Sequence, residues 1–549
     1  MFCVYFGAFL INSAFADTIV DLPDGKVRGY EITTNENNRL VAFLGIPYAS
    51  PPLGNLRFQT PTPPNPWEGI REANQTGAAC IATAHFPGDP EPREENEDCL
   101  YINVYTPAHK IAEKLPVLFW IYGGGFVGGF SDYSFYAPDY LIQEDVIVVT
   151  FNYRLGIFGF MSTGDTEILG NAGLKDQLFA LNWTKGNIGS FGGDPDKITI
   201  FGQSAGGGSV GFHLTNKKSA GLFRAAICQS GCSLMGMSAF SNPTAYEVAK
   251  AIDNSISDKN STREIREFLQ SQPVEVLSSL NQNSGIGQRC PKNVLQSGIT
   301  MEVEDKDAYI TELNFPLVQS GNINRLPLMI GTTSEESLGS FSSLQVARDK
   351  GVDMDSDVTS LIPNDLVPLP GSNLTEIGYL IKEAYVGKGG KFADNPNQVV
   401  EFSSDGFVRP TLKQAELQSN YTPVYMYQFS FYGTKSENRT IIPGAGKVAH
   451  ADELAYLFKI STFPITTDAD LLTRQRMVRL WANFAKTLNP TPDQSDPILN
   501  ITWPQVNPND IRYLDIDTSL TVKPNRKVKE YAMWNRVFYK YGTQPFIGF

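Results

Sequence analysis

The residues best suited to chemistry in this 549-residue chain form the run Gly202-Gln203-Ser204-Ala205-Gly206. It directly follows an apolar, strand-like stretch, Lys197-Ile198-Thr199-Ile200-Phe201. A G-x-S-x-G run between a strand and a helix is a nucleophile elbow. The turn forces the serine into a strained backbone conformation, and small flanking residues let neighbouring backbone pass close by. The preceding strand argues against a chance match in a glycine-rich loop. A serine hydroxyl attacks poorly until a base takes its proton and donors stabilise the oxyanion that forms. The donors have a source in Gly123-Gly124-Gly125, bounded by Trp120, Ile121, Tyr122 and Phe126. The backbone N–H of Ala205, just after the serine, would be a third donor.

The base must come from four histidines: His85, His109, His213 and His450. His213 falls on the helix expected after the elbow and should point away from the serine hydroxyl. His85 and His109 precede the elbow, whereas triads built on it run serine, acid, histidine. Elimination leaves His450. The acid should follow a later strand and precede His450. After the apolar run 326–330 comes Gly331-Thr332-Thr333-Ser334-Glu335-Glu336-Ser337, and the two adjacent carboxylates leave the choice open. Four scattered histidines and no C-x-x-C pair imply neither a metal nor an organic cofactor.

Such residues need a scaffold to position them. Hydrophobic residues make up 42% and charged residues 19%, which supports a sizeable core and excludes wholesale disorder. Lys and Arg number 45 against 58 Asp and Glu, a net charge of −13 that argues against a nucleic-acid partner. Short apolar runs at 116–122, 146–152, 197–201, 225–228, 326–330 and 424–429 fit strands buried on both faces. Helical patterns lie between them, such as 176–191 with Leu178, Leu181 and Ile188. This alternation predicts an α/β fold with a central, largely parallel sheet. Met477, Val478, Trp481, Phe484 and Ala485 form an apolar helical stripe ended by Asn489-Pro490. The polar, Gly-, Pro- and Ser-rich region 340–420 should carry helices and loops over one end of the sheet. With no repeat or low-complexity linker, residues 17–549 read as one domain.

Residues 1–16 read as a cleavable secretory signal, an apolar run closed by the A-x-A-like Ala14-Phe15-Ala16. The run is too short to span a bilayer. A secreted, extracellular protein without an integral membrane anchor is therefore expected. Seven N-x-S/T sequons agree with it. Asn182, inside a helical run, is expected to be buried and bare. Asn74, Asn260, Asn373, Asn420, Asn438 and Asn500 remain as glycosylation candidates. Beyond the signal lie Cys80, Cys99, Cys228, Cys232 and Cys290, an odd number that leaves at least one thiol unpaired. Cys228 sits in an apolar run and reads as a buried thiol, with Cys232 and Cys290 as a further pairing. The sequence sets no oligomeric state.

Phe191-Gly192-Gly193-Asp194-Pro195-Asp196 through Gly206 resembles the serine-site signature of the type-B carboxylesterases, and Glu97-Asp98-Cys99-Leu100-Tyr101-Ile102-Asn103-Val104 resembles their second signature. The resemblance runs from about Ile19 through the C-terminal region. It implies an α/β-hydrolase fold with large insertions over the active-site end, in a family that includes cholinesterases, insect esterases and juvenile hormone esterases. It implies Ser204 as nucleophile, His450 as base and Glu336 as acid, with Gly124, Gly125 and Ala205 as oxyanion hole. It implies a Cys80–Cys99 disulfide, and structural ion pairs Arg57–Glu97 and Arg154–Asp176.

Glu335-Glu336-Ser337 stands where many members have Asp-Glu-Gly. Gly446 stands four residues before His450, where juvenile hormone esterases typically have G-x-x-H, whereas Gln203 agrees with that subgroup. Cholinesterases hold a quaternary ammonium against a tryptophan in the first disulfide loop. Here 81–98 has no Trp or Tyr and offers only Phe86, and neutral Gln203 replaces the Glu that many cholinesterases carry. The implied substrate is a small, neutral, largely apolar carboxylic ester, with juvenile hormone as the narrow version. The rival reading is an extracellular adhesion or interaction protein on the same fold. Such members typically lack the serine, the histidine or the glycine run, and this chain keeps all three. A lipase would need an exposed apolar lid, which a sequence does not reveal.

Overall fold

The computed structural model describes residues 18–549 apart from 35, 83, 85–93, 109–112, 236–242, 258, 281–297, 438, 464 and 526. The expected signal 1–16, and His85, Phe86, His109, Cys290 and Asn438, lie outside the described residues.

Among the described residues, thirteen strands form the main sheet: β1 (Thr18–Leu22), β2 (Gly25–Thr33), β3 (Arg39–Pro47), β4 (Ile70–Glu72), β5 (Tyr101–Pro107), β6 (Leu115–Ile121), β7 (Ile147–Phe151), β8 (Gly193–Gln203), β9 (Ala225–Gln229), β10 (Leu328–Thr333), β11 (Val424–Phe429), β12 (Arg512–Ile516) and β13 (Leu520–Pro524). Their spatial order is β1-β2-β3-β5-β7-β6-β8-β9-β10-β11-β12-β13, with β4 beside β2. The strands from β7 through β12 pair in parallel, and β1, β2, β3, β5 and β13 pair antiparallel along the path at the two edges. Every residue of β7, β9 and β10 is buried, as strands covered by helices on both faces require. The expected α/β architecture is present.

Boundaries moved where backbone chemistry dictates. The run expected at 326–330 pairs as Leu328–Thr333, because Pro327 has no N–H to give the ladder and the strand continues to Thr333 beside the site. β8 begins earlier and ends later than its apolar centre, with a register shift between Gly193 and Ile198. It runs straight into Ser204.

Helix α1 (Ala172–Asn187) covers the expected helical stretch and ends in a short 3-10 turn at Ile188–Phe191. Asn182 corrects an expectation: it is exposed, on the outward side of α1 between buried Leu181 and Trp183. A helix turns about 100° per residue, so buried neighbours do not bury the residue between them. Helix α2 (Ala205–Thr215) follows the elbow and is buried along its whole length. The 340–420 region supplies α3 (Leu344–Ser356), α4 (Leu374–Val386) and α5 (Pro396–Gln418), of which α5 packs against β10 and β11.

Helix α6 (Asp468–Thr487) carries the predicted apolar stripe, and Thr467 with Asp470 forms a capping box at its start. Leu488, in the left-handed region at φ 64°, ends it just before Asn489-Pro490. Trp481 is fully buried against Tyr427 of β11, with ring centroids 5.2 Å apart. Truncating a tryptophan so placed costs about 3–5 kcal/mol. Cys80 and Cys99 form a disulfide; among the described residues Cys228 and Cys232 are buried and unpaired, and the further pairing expected for Cys232 involves Cys290, outside those residues. Two bidentate pairs brace the core: part-buried Arg57–Glu97, and fully buried Arg154–Asp176, which ties the segment after β7 to α1.

Candidate active site

Ser204 occupies the one-residue gap between β8 and α2, with φ 57° and ψ −124°. That backbone region is strained for any residue with a Cβ and persists only where the surroundings enforce it. The enforcement is visible. Ser204 N–H donates to the Gln229 carbonyl at 2.8 Å, and the Ser204 carbonyl accepts from Gly208 N–H at 2.9 Å. A Cβ at Gly206 would collide with the Ile121 carbonyl, so glycine lets α2 start hard against the end of β6. Ala205 is the first residue of α2, and its N–H has no acceptor within that helix.

The glycine run lies against the elbow. The missing Cβ of Gly123 would sit 2.9 Å from Ser204 Cβ. Gly124 and Gly125 take φ 115° and 61°, values that favour glycine. Gly124 O accepts from the N–H of Val127 and of Gly128, each at 3.0 Å, which folds the turn back on itself.

His450 enters from the loop after β11. Its Nδ1 lies 2.5 Å from Glu336 Oε2, and its backbone N–H donates to the Glu336 carbonyl at 3.2 Å. The other Glu336 oxygen accepts from Ser230 Oγ at 2.6 Å and from Thr333 N–H at 2.7 Å. Of the two adjacent acids, Glu336 is therefore the one that meets the imidazole. With Nδ1–H given to the carboxylate, Nε2 keeps its lone pair, and the Gln203 amide donates to it at 3.0 Å. The half-buried ring of Phe407, on α5, packs 4.6 Å from the imidazole. Burial, the largest single influence, pushes the His450 pKa down, but the Glu336 carboxylate, joined by Glu453 and Asp452, holds the ring above its ordinary value.

A second acid stands behind this pair. Glu453 is fully buried, accepts from Gln229 Nε2 at 3.2 Å, and is pushed up to about 7 by burial and then by the charge of Glu336. Gln229 is itself fixed by Trp481 Nε1 at 3.0 Å. Asp452 braces the loop from below. It accepts from Ala449 N–H at 2.8 Å and Ser436 Oγ at 3.0 Å, and pairs with Arg439. His213 lies elsewhere. Tyr309 donates to its Nδ1 at 2.6 Å, Gln177 accepts from its Nε2 at 3.1 Å, and burial pushes it down to about 3, so it is neutral.

The model of the carboxylesterase family matches residues 16–534. The chain belongs to the carboxylesterase family. It is 32% identical over 524 residues to juvenile hormone esterase of Tribolium castaneum, covering 90% of this chain and 87% of that protein. It is 33% identical to pyrethroid hydrolase Ces2e of Rattus norvegicus, covering 95% of this chain and 90% of that protein. The crystal structure of juvenile hormone esterase from Manduca sexta, with OTFP covalently attached, superposes with a TM-score of 0.81 at 28% identity, covering 95% of this chain and all of that one. The fold is that of the α/β hydrolases, and this carboxylesterase is a carboxylic ester hydrolase.

Three residues around the carboxylesterase site, Ser230, Glu453 and Phe407, were not singled out by sequence. Ser230 and Glu453 meet Glu336 or its neighbours only through tertiary packing, although Ser230 directly follows a strand and Glu453 lies three residues beyond His450. Phe407 reaches the imidazole from a helix far along the chain. Gln203 was weighed for its charge rather than for its contact with Nε2. Among the sequons, Asn74, Asn373, Asn420 and Asn500 are exposed and Asn260 is half-buried.

Proposed function

We propose that this carboxylesterase is secreted after loss of residues 1–16, and that as a single domain it hydrolyses neutral, largely apolar carboxylic esters through an acyl-enzyme on Ser204. The observation that carries the reading is the imidazole of His450 held between the Glu336 carboxylate and the elbow residue Gln203. In this mechanism Nε2 exchanges the Gln203 amide for the Ser204 hydroxyl and takes its proton as Oγ attacks the ester carbonyl. The oxyanion accepts from the N–H groups of Gly124, Gly125 and Ala205, each worth about 3–4 kcal/mol of barrier. His450 returns its proton to the departing alcohol. Water, deprotonated by Nε2, then attacks the acyl carbonyl, and the acid leaves as Ser204 regains its proton. Glu336 orients the imidazole and stabilises its charged form.

Neutral Gln203 favours an uncharged substrate, since it offers no counter-charge to a quaternary ammonium. Juvenile hormone is the narrow version of this reading, favoured by the similarity to the Tribolium and Manduca enzymes. Secretion is supported by the apolar run before Ala14-Phe15-Ala16, by the Cys80–Cys99 disulfide and by the exposed sequons. The test is hydrolysis of p-nitrophenyl esters of increasing acyl length, beside Ser204→Ala. Rates that vanish in the variant and peak at one acyl length support the reading. Equal inertness of both proteins on every ester would move the adhesion-protein alternative to the front.

A further inference from the structure

Two carboxylates stand side by side after β10, and only Glu336 faces the imidazole. Glu335 turns the other way, is 6% exposed, and folds onto the backbone of the segment that carries His450. Its N–H donates to the Val448 carbonyl at 3.0 Å. Its Oε2 accepts from Val448 N–H, at a longer 3.4 Å, and from the Ser334 hydroxyl. Glu335 thus grips both backbone groups of the residue two positions before His450. These two donors converge on one oxygen of the carboxylate.

Gly446 explains how that carboxylate fits. The residue is exposed, yet a Cβ built on it would land on the Glu335 carboxylate group. Any other amino acid at 446 would evict the carboxylate or shift the loop. We infer that Glu335 is a positioning residue for His450, holding the 446–448 backbone in place, and that Gly446 supplies the space its carboxylate needs. Glu336 orients the ring, and Glu335 orients the backbone that presents it. The inference rests on His450 being the base. It also gives a physical reason for glycine four residues before the histidine, where the sequence departs from G-x-x-H.

The test is a double-mutant cycle in the full chain with Gly446→Ala, Glu335→Ala and the two combined, with His450→Ala as reference. The kcat and KM for p-nitrophenyl butyrate and the thermal midpoint are measured for each. Each single change is expected to lower kcat by about ten-fold or more, because small misplacements of a catalytic group cost up to about 100-fold, while KM stays within a few-fold. The combined variant should fall no lower than Glu335→Ala alone, because Gly446→Ala acts by displacing the carboxylate already removed. Wild-type kcat in Gly446→Ala, or losses that multiply in the combined variant, overturns the proposal. If Glu335→Ala does not fold, Gly446→Ala decides alone, as an exposed change with a wild-type midpoint and a lowered kcat. Retained activity in His450→Ala would instead sink the reading of the base.

Discussion

Glu336 Oε2 lies 2.5 Å from Nδ1 of His450, a residue 114 positions later in the chain. The contact fixes the tautomer, because a carboxylate takes the Nδ1 proton and leaves Nε2 as the lone-pair face of the ring. The opposite oxygen of Glu336 is occupied by Ser230 and Thr333, so the carboxylate cannot swing away from the imidazole without breaking two hydrogen bonds.

Replacing that acid should therefore cripple turnover without unfolding the protein. Glu336→Gln is expected to lower kcat by about 10⁴-fold, the scale seen when a triad acid becomes an amide. Ser230→Ala removes one anchor and should cost less, about ten-fold, in line with roughly 1–3 kcal/mol for a lost hydrogen bond to a charged group. Steady-state kinetics on one ester checks both. A Ser230→Ala loss as large as that of Glu336→Gln would contradict this ranking.

Gln203 touches the proposed base and should tune it. Its amide donates to the Nε2 lone pair, a bond that only the neutral ring can accept, so it favours the basic form. Glu336 works in the opposite direction and raises the pKa, so the acidic limb of kcat/KM should lie above the ordinary histidine value. Gln203→Leu should move that limb to higher pH. Gln203→Glu should move it further, by about 1 pH unit or more, because a neighbouring carboxylate stabilises the imidazolium. An unmoved limb in Gln203→Glu would show that residue 203 does not touch the base in solution.

Glu453 makes a separate prediction about stability. Its folded pKa is raised to about 7 from an ordinary value near 4.5. Between those two values the folded state keeps a proton that the unfolded chain releases, so stability falls as pH rises through that window. Glu453→Gln keeps the neutral shape and should abolish that fall, gaining on the order of 3 kcal/mol at pH 7 and above. Denaturant unfolding at pH 5 and pH 8 measures it. The same change removes a nearby acid that raises the His450 pKa, so the acidic limb should shift to lower pH. Equal unfolding profiles for variant and parent would refute the buried-acid account.

What could be read from the chain was what local chemistry dictates. Ser204 was legible because a nucleophile elbow needs a strand, a helix and two small residues in fixed order. His450 was singled out because the other histidines fell on the wrong side of the elbow or on α2, and the structure sets its imidazole beside Glu336 and Gln203. The choice between Glu335 and Glu336 was not settled by spacing, since it depends on which side chain the turn after β10 points inward. Ser230 and Glu453 were hidden for the same reason: their partners come from other strands. Asn182 was misjudged because burial follows the helix face rather than the neighbours in sequence. The buried strands were placed to within a few residues, and their ends moved at Pro327 and at the bulge in β8, where ladder hydrogen bonding overrides the apolar pattern.

The central claim is a covalent acyl group on Ser204. It is tested most directly by mixing the enzyme with a p-nitrophenyl ester, quenching in acid within milliseconds, and locating the added acyl mass by peptide mass spectrometry. The acyl group is expected on the peptide containing Ser204, absent from Ser204→Ala, and longer-lived in His450→Ala once that variant has been acylated with an activated ester. An acyl group on any other residue, or undiminished turnover with Ser204 replaced, would contradict it.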